Sequence, residues 1–377
     1  MSTIIPIIIF ILILGLVIFV HELGHFFFAR RAGIFVEEFA LGMGPKIFSF
    51  KGKKESLTIN PETEEPDVTL YSLRAFPIGG FCKMRGQDED VTEDPEAINN
   101  KPVRSRILVI AGGSLMNFLM AFLLFFTLLM LRGFPVSEVF QINNQMPGYQ
   151  AGLREGDRIT HINNTRVNLY EELMFMIDVS GGQEMEVRVD RGGEILYMPI
   201  SPMETPAGYR IGFNPGRRMG LVLPRVEEGF DVPFTTAGIG ESLVTAAETL
   251  AFHIRAPFRL LTRLATGQGM PAGGGIVGPI GIGAVVAEVY QDVSGHGVLP
   301  TVLTMLMMAA ILNAALGIMN LLPIPALDGA RLIFLTIEGV RIKPVPPDKE
   351  AVVHMVGIVA LLVLAVFIAY RDIVGLM

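Results

Sequence analysis

Four stretches of the chain stay apolar for about the width of a bilayer: residues 4–20, 107–131, 299–322 and 351–369. A helix needs roughly 20 predominantly apolar residues to cross the hydrocarbon, so each stretch predicts a transmembrane helix. Between the first two the pattern changes. Residues 57–84 carry strand character, clearest over 69–75 and 81–84, and Pro77, Gly79 and Gly80 break it into a hairpin-like unit. Backbone beside a membrane must be paired or turned to water, so this short sheet is expected to lean on the helices. Residues 87–100 are acidic and read as a solvated loop. Further on, residues 170–179 have helical periodicity, and 184–189 and 195–200 alternate as strands. From Phe234 to Ala265, apolar Leu243, Ala246, Leu250, Ile254, Phe258, Leu261 and Leu264 recur near one face, interleaved with Arg255, Arg259 and Arg263. That pattern suits a helix lying in the membrane interface. Residues 268–283 hold so much Gly and Pro that no ordinary helix is expected there.

The fold expected is a polytopic α-helical membrane protein of four transmembrane helices, with a small membrane-associated β-sheet and one inserted globular domain. Residues 1–30 form the first helix, 31–106 a turn and the sheet, and 107–132 the second helix. The insertion occupies 133–230, followed by the interfacial helix and the Gly/Pro-rich segment over 231–298. The third helix takes 299–330, a loop 331–350, and the fourth helix 351–377. A hydrophobic content of 51% over 377 residues agrees with this class. No basic residue precedes the first block and no small-residue cleavage site follows it, so it is expected to stay in the mature chain. The net charge of −7, without a basic stripe, argues against nucleic-acid binding. Cys82 is the single cysteine, which rules out an intrachain disulfide and leaves His, Asp and Glu as metal ligands. Arg30, Arg31, Lys101, Arg104 and Arg106 flank the first two helices on one side, and Arg331, Arg341, Lys343 and Lys349 lie between the last two. By the positive-inside rule these segments are cytoplasmic, and the insertion is on the other side.

The first block closes in His21-Glu22-Leu23-Gly24-His25. On a helix that spacing puts two imidazoles one turn apart on one face, with a carboxylate between them. Ionisable groups in a membrane segment are costly unless they face a bundle interior and serve a purpose. The pattern therefore points to two nitrogen ligands for a tetrahedral Zn2+ and a base, Glu22, for its water. The competing reading is a chance match with packed histidines. A third protein ligand is needed. His161, His253 and His296 lie in or near the outer insertion. Asp328 follows two prolines that break the third helix, Pro323 and Pro325, and so stands level with His21 and His25. His354, at the start of the fourth helix, is the other candidate, and a plain helix cap is the competing reading of Asp328. Asn117 reads as a residue bonding a neighbouring helix, with a substrate contact as the alternative.

Together these features resemble the site-2 protease family of intramembrane zinc metalloproteases, and more narrowly its bacterial branch with a PDZ domain between the second and third core helices. The likeness rests on residues 21–25, the glycine-punctuated turn 39–45, residues 77–84, Asn117, residues 278–281, and an N-x-x-P-x-P-x-x-D-G run from Asn320 to Gly329. The PDZ likeness rests on Ala151-Gly152-Leu153-Arg154-Glu155-Gly156-Asp157-Arg158-Ile159 with Asn163 behind it. The resemblance implies that His21, His25 and Asp328 bind Zn2+, that Glu22 is the general base, and that Asn320 helps to hold the substrate backbone. It also implies a substrate-binding strand edge around 69–84, with Thr69, Tyr71 and Leu73 as contact positions. The implied partners are membrane lipid and single-span membrane proteins, such as anti-sigma factors or remnant signal peptides. The implied location is the bacterial cytoplasmic (inner) membrane, with the PDZ domain outside and the zinc centre near the cytoplasmic face. One departure stands out: Gly113-Ser114 occupies the place where the family usually has Gly-Pro.

Overall fold

The structure, a computed structural model, describes residues 4–59, 66–87, 94–206, 208–220, 235–236, 238–266, 278–343 and 345–376. It divides into two compact units: Met1–Ala121 with Val277–Met377, and Phe122–Ile276.

The first unit opens with helix α1 (Ile4–Arg31), apolar throughout until Arg30 and Arg31 close its last turn. Strands β1 (Val36–Ile59) and β2 (Pro66–Met84) follow. Both bend, β1 at the positive-φ Gly42 and Gly44 and β2 near Gly79, so two strands make four adjacent rows. Residues 80–84 pair with 36–41 (Gly80 with Leu41, Phe81 with Ala40, Cys82 with Phe39). On its other side the same stretch pairs in step with 70–73, from Glu38 with Leu70 to Leu41 with Leu73. Residues 70–74 in turn pair with 46–51, for example Tyr71 with Phe50 and Leu73 with Phe48. The expectation that 69–75 offers a free edge is therefore corrected. Tyr71 and Leu73 sit in an inner row because β1 doubles back after Pro45 and covers them, while the Thr69 hydroxyl donates to the Val36 carbonyl at 2.8 Å. Among the described residues, the row with a single partner on this side is 80–84. The sheet does lean on the helices: Val36, Cys82 and Met84 share a core with Ala29, Val109 and Ile110.

Helix α2 (Val103–Arg132) passes from the first unit into the second. The second unit continues with β3 (Phe134–Ile142), the one-turn α3 (Pro147–Gln150), β4 (Arg158–Ile162), β5 (Thr165–Arg166) and α4 (Tyr170–Val179), the last as the periodicity predicts. Then come β6 (Met185–Arg191), β7 (Glu194–Ile200), β8 (Met203–Thr205), β9 (Gly208–Arg210), β10 (Phe213–Met219) and β11 (Thr235–Thr236). The main sheet runs β11-β10-β3-β4-β6-β7 with β5 on β4. Leu153, Ile159, Leu173, Ile177, Val187, Ile200 and Ile211 fill its core. Asp157, fully buried, is satisfied by the Arg191 guanidinium at 2.7 Å and by the Arg154 amide at 2.8 Å. Helix α5 (Ile239–Ala265) buries Ser242, Thr245, Ala246, Thr249 and Phe252, leaving Leu243, Phe258, Leu261 and Leu264 exposed, an apolar face turned outward.

Returning to the first unit, α6 (Pro279–Ser294) is a helix where Gly and Pro argued against one as far as Gly283. Pro279 sits at its first turn, where a missing N–H costs nothing. The Asp372 carboxylate, 94 residues on from Gly278, accepts from that residue's amide at 3.1 Å and from the Gly281 amide at 2.9 Å. Helix α7 (Val298–Leu321) is followed by α8 (Asp328–Arg341), so residues expected as a loop after 330 are helical as far as Arg341. Helix α9 (Pro347–Leu376) ends the chain. α1 packs against α6 and α7, α6 against α9, and α7 against α8. Among the described residues four helices are long and apolar enough to cross a membrane, namely α1, α2, α7 and most of α9. The chain is a polytopic membrane protein with a sheet component.

Candidate metal centre

The centre begins where α1 and α2 touch. A Cβ on Gly24 would lie 2.2 Å from the Gly112 carbonyl oxygen, so the two backbones meet with no side chain between them. A Cβ on Gly113 would lie 2.5 Å from His25 Nε2 and 2.6 Å from His21 Cε1. The small residues of α2 thus make the space that the two imidazoles fill, and both histidines are buried. Ser114, where the family usually has Pro, is buried and lies within the same unbroken helix.

Asp328 arrives from the other side. α7 stops at Leu321 because Pro323 and Pro325 supply no amide to continue it. The chain turns through residues 322–327, and α8 starts with Asp328 as its first residue. Gly329 is required there, since a Cβ would fall 2.1 Å from the Leu322 carbonyl oxygen. The competing reading of Asp328 as a cap is not met. Leu327 holds the cap position, without any side-chain cap bond, and the carboxylate points elsewhere.

It points at the histidines. Asp328 Oδ2 is 3.2 Å from His21 Nε2 and 3.2 Å from His25 Nε2, and the two nitrogens are 3.1 Å apart. Three donor atoms therefore form a nearly equilateral triangle. Zinc bound tetrahedrally at ~2.0–2.1 Å would hold its ligands about 3.3 Å from one another. The donor set and spacing fit that ion. The hydrogen bonds behind the ligands agree. His25 Nδ1 donates to the Val109 carbonyl at 3.0 Å, which leaves the Nε2 lone pair facing the triangle. His21 Nδ1 lies 3.3 Å from the Asn117 side-chain amide, whose oxygen is buried and otherwise unpartnered. Turned end for end, that amide keeps its shape and presents the oxygen to the His21 Nδ1 hydrogen. The Asn320 amide nitrogen lies 3.3 Å from His21 Nε2.

Glu22 is beside the triangle and not part of it. It faces the single-partnered row of the sheet: a Cβ on Gly80 would come within 3.1 Å of Glu22 Cγ, and the Cys82 amide is placed to donate to its carboxylate. Burial and the neighbouring Glu22 push the Cys82 thiol far above the usual range, so it stays a packed, protonated residue. An apolar cavity of about 400 Å³ opens next to this row, lined by Leu12, Gly15, Phe19, Leu41 and Gly79 among others.

Of the residues singled out in the sequence, the structure brings together His21, His25 and Asp328, with Glu22 and Asn320 alongside. It leaves Thr69, Tyr71 and Leu73 on covered backbone, although the exposed Leu73 side chain lines the apolar cavity, and it places His354 outside the triangle, accepting from the Ala326 amide at 3.0 Å. Asn117 bonds a neighbouring helix, as its sequence position suggested, but that its partner is His21 was not read from the sequence. The signal available was its position four residues after Gly113, on the helix face that Gly113 turns to the histidines.

The family model for peptidase family M50 matches residues 9–364. The chain is 30% identical to the zinc metalloprotease RasP of Bacillus licheniformis, with 97% of each chain covered. It is 29% identical to the regulator of sigma-W protease RasP of Bacillus subtilis, again over 97% of both. To the zinc metalloprotease RasP of Shouchella clausii it is 28% identical over 97% of each.

Proposed function

The chain belongs to peptidase family M50, the site-2 proteases, and is a zinc metalloprotease; from this we propose that it cuts single-span proteins within their membrane segments, with His21, His25 and Asp328 holding the zinc and Glu22 as general base. The observation that carries the reading is the donor triangle set among membrane-spanning helices, with a carboxylate one helical step from its first ligand.

Zinc held by His21, His25 and Asp328 would supply Lewis-acid chemistry, polarising the scissile carbonyl and making a water more acidic. Glu22 takes the proton of the attacking water and can pass it to the leaving amine, since it stands beside the triangle on the same helix. Asn320, against His21, is placed to hold a substrate carbonyl or amide. The Nδ1 bonds of His25 and His21 keep both rings in the orientation that faces Nε2 inward.

A substrate helix satisfies its own amides and hides its carbonyls, so it has to unwind locally before it is cut. The replacement hydrogen bonds come from strand addition, and the row that supports this is 80–84, whose open side carries the Cys82 amide and adjoins Glu22. The flanking apolar cavity, with Gly15 as open floor, accepts the apolar side chains of the same segment.

The second unit is read as an extracytoplasmic PDZ domain. Supporting this is a cavity of about 610 Å³ beside α4 and the start of β10, lined by Tyr170, Met174, Ile211, Gly212 and Phe213. It gates access by size, so that substrates trimmed outside reach the centre. The distribution of Lys and Arg supports a zinc centre near the cytoplasmic face of a bacterial inner membrane. Substrates are of the anti-sigma-factor or remnant-signal-peptide type, a reading supported in kind by the sigma-W designation of the Bacillus subtilis relative. Exposed Val356, Val363, Val366 and Phe367 on α9 support direct contact with lipid.

The test is Glu22→Gln in purified protein. It should retain zinc and lose cleavage of a membrane-peptide substrate, whereas His21→Ala and Asp328→Ala should lose the metal. Wild-type cleavage by Glu22→Gln would overturn the assignment of the base.

A further inference from the structure

The six residues between α7 and Asp328 have little of their own to hold them. Two are prolines, and the internal bonds are from the Ile324 amide to Leu322 O at 2.7 Å and from the Leu327 amide to Ile324 O at 3.1 Å. Ala326 adopts φ +78°, a left-handed conformation that costs a residue with a Cβ and persists only where the surroundings impose it. What imposes it comes from α9. The Ala326 amide donates to His354 Nδ1 at 3.0 Å. One turn further along the same face, Gly357 lies so close that a Cβ would be 2.2 Å from Pro325 Cβ. Because Nδ1 accepts the Ala326 amide, the ring hydrogen sits on Nε2; that nitrogen faces Glu350 Oε1 at 3.6 Å, too long for a hydrogen bond, and Phe334 packs edge-on against the ring at 5.9 Å.

We propose that His354 is a positioning residue for the metal centre: by accepting the Ala326 amide it fixes the strained turn two residues before Asp328, and so sets where the carboxylate stands relative to His21 and His25. Gly357 serves the same end by letting α9 seat against Pro325. The last membrane helix, which offers nothing to the donor triangle, thereby controls its third corner. His354, the alternative to Asp328 as third ligand, lies instead behind Asp328.

This inference rests on Asp328 as a zinc ligand, and the experiment separates the two. Zn2+ affinity of the full-length protein in detergent is measured by competition with a chelator, alongside the visible spectrum of the Co2+ form and kcat and KM for a membrane-peptide substrate. Four variants are compared: Asp328→Ala, His354→Leu, His354→Asn, and His354→Leu combined with Ala326→Gly. His354→Leu should weaken zinc binding about 10- to 100-fold, the usual cost of losing a partner behind a ligand, shift the Co2+ bands, and lower kcat more than it raises KM. His354→Asn keeps an acceptor near the Nδ1 position and should restore most of the affinity. Ala326→Gly relieves the left-handed strain and should recover part of what His354→Leu loses. If Asp328→Ala keeps wild-type affinity, the ligand assignment fails and this inference with it. If Asp328→Ala loses zinc while His354→Leu binds as wild type, the inference alone fails. It also fails if His354→Asn is as weak as His354→Leu, because then the ring acts by bulk and not as an acceptor.

Discussion

His25 Nδ1 stands 3.0 Å from the carbonyl oxygen of Val109, a residue 84 positions further along the chain. A backbone carbonyl can be presented this way only if α2 lies very near α1, and the glycines at the crossing allow it. Gly113→Ala would bring a methyl within 2.5 Å of His25 Nε2 and 2.6 Å of the His21 ring. It is expected to reduce bound zinc to a small fraction of wild type while the protein still inserts and folds, as metal analysis beside a thermal melt would show. Full zinc occupancy in a folded Gly113→Ala protein would contradict the geometry described for the two rings.

Asn117 touches His21 from the fully buried interior of α2. Asn117→Leu removes the acceptor for Nδ1 and should weaken zinc binding about 10- to 100-fold. Asn117→Asp, which keeps an oxygen in place, should cost much less. Equal losses for Leu and Asp, read by chelator competition, would show that shape and not the hydrogen bond is what matters there.

The sheet makes opposite demands on two stretches that look alike in sequence. Tyr71→Pro breaks ladder bonds on a row paired on both sides, so loss of folded protein is expected. Gly80→Ala is milder: its Cβ would meet Ala40 O at 2.9 Å and Glu22 Cγ at 3.1 Å. It should lower kcat by roughly tenfold, equivalent to about 1.4 kcal/mol of barrier, without releasing zinc. Unchanged turnover in Gly80→Ala would argue that the 80–84 row and Glu22 do not work together.

In the second unit, burial pulls the His253 imidazole down to about 4, where it stacks on Phe125 at 5.4 Å. A histidine depressed in the folded state binds fewer protons than in the unfolded chain between about pH 6.5 and 4, so stability falls as pH drops through that window. By pH 5 the expected loss is on the order of 2 kcal/mol. Glu171, 4.0 Å away, is pushed up by its own burial, which opposes this trend. The difference between wild type and His253→Phe therefore isolates the imidazole. Hydrogen-exchange protection of α4 and α5 at pH 7 and pH 5 should fall less in the variant; parallel losses would remove His253 as the cause.

Much of the site was legible because its signals lie in consecutive residues. The spacing of His21 and His25 places them on one helix face, and Pro323 and Pro325 announce the break that frees Asp328. The four membrane helices follow from apolar length alone. What could not be read depends on partners distant in the chain. The strand order around Tyr71 turns on how β1 folds back over it, which no local pattern encodes. Helix α6 looked too rich in Gly and Pro, yet Pro279 suits a first turn and its leading amides find an acceptor in Asp372. Asn117 was legible as a polar membrane residue, but its partner became clear only once α1 and α2 were set side by side.

The donor triangle draws its corners from both ends of the chain, His21 and His25 near the start and Asp328 near the finish, with His354 behind it in the final helix. A ribosome making this protein releases both histidines and the sheet into the membrane long before it reaches the aspartate. On the proposed ligand set the third corner is missing until then, and the α9 contact to the turn that presents it comes later still. Hydrolytic competence therefore waits for residues made roughly 300 positions after the first histidine: a copy that stops short of Asp328 is expected to be inert towards its membrane neighbours.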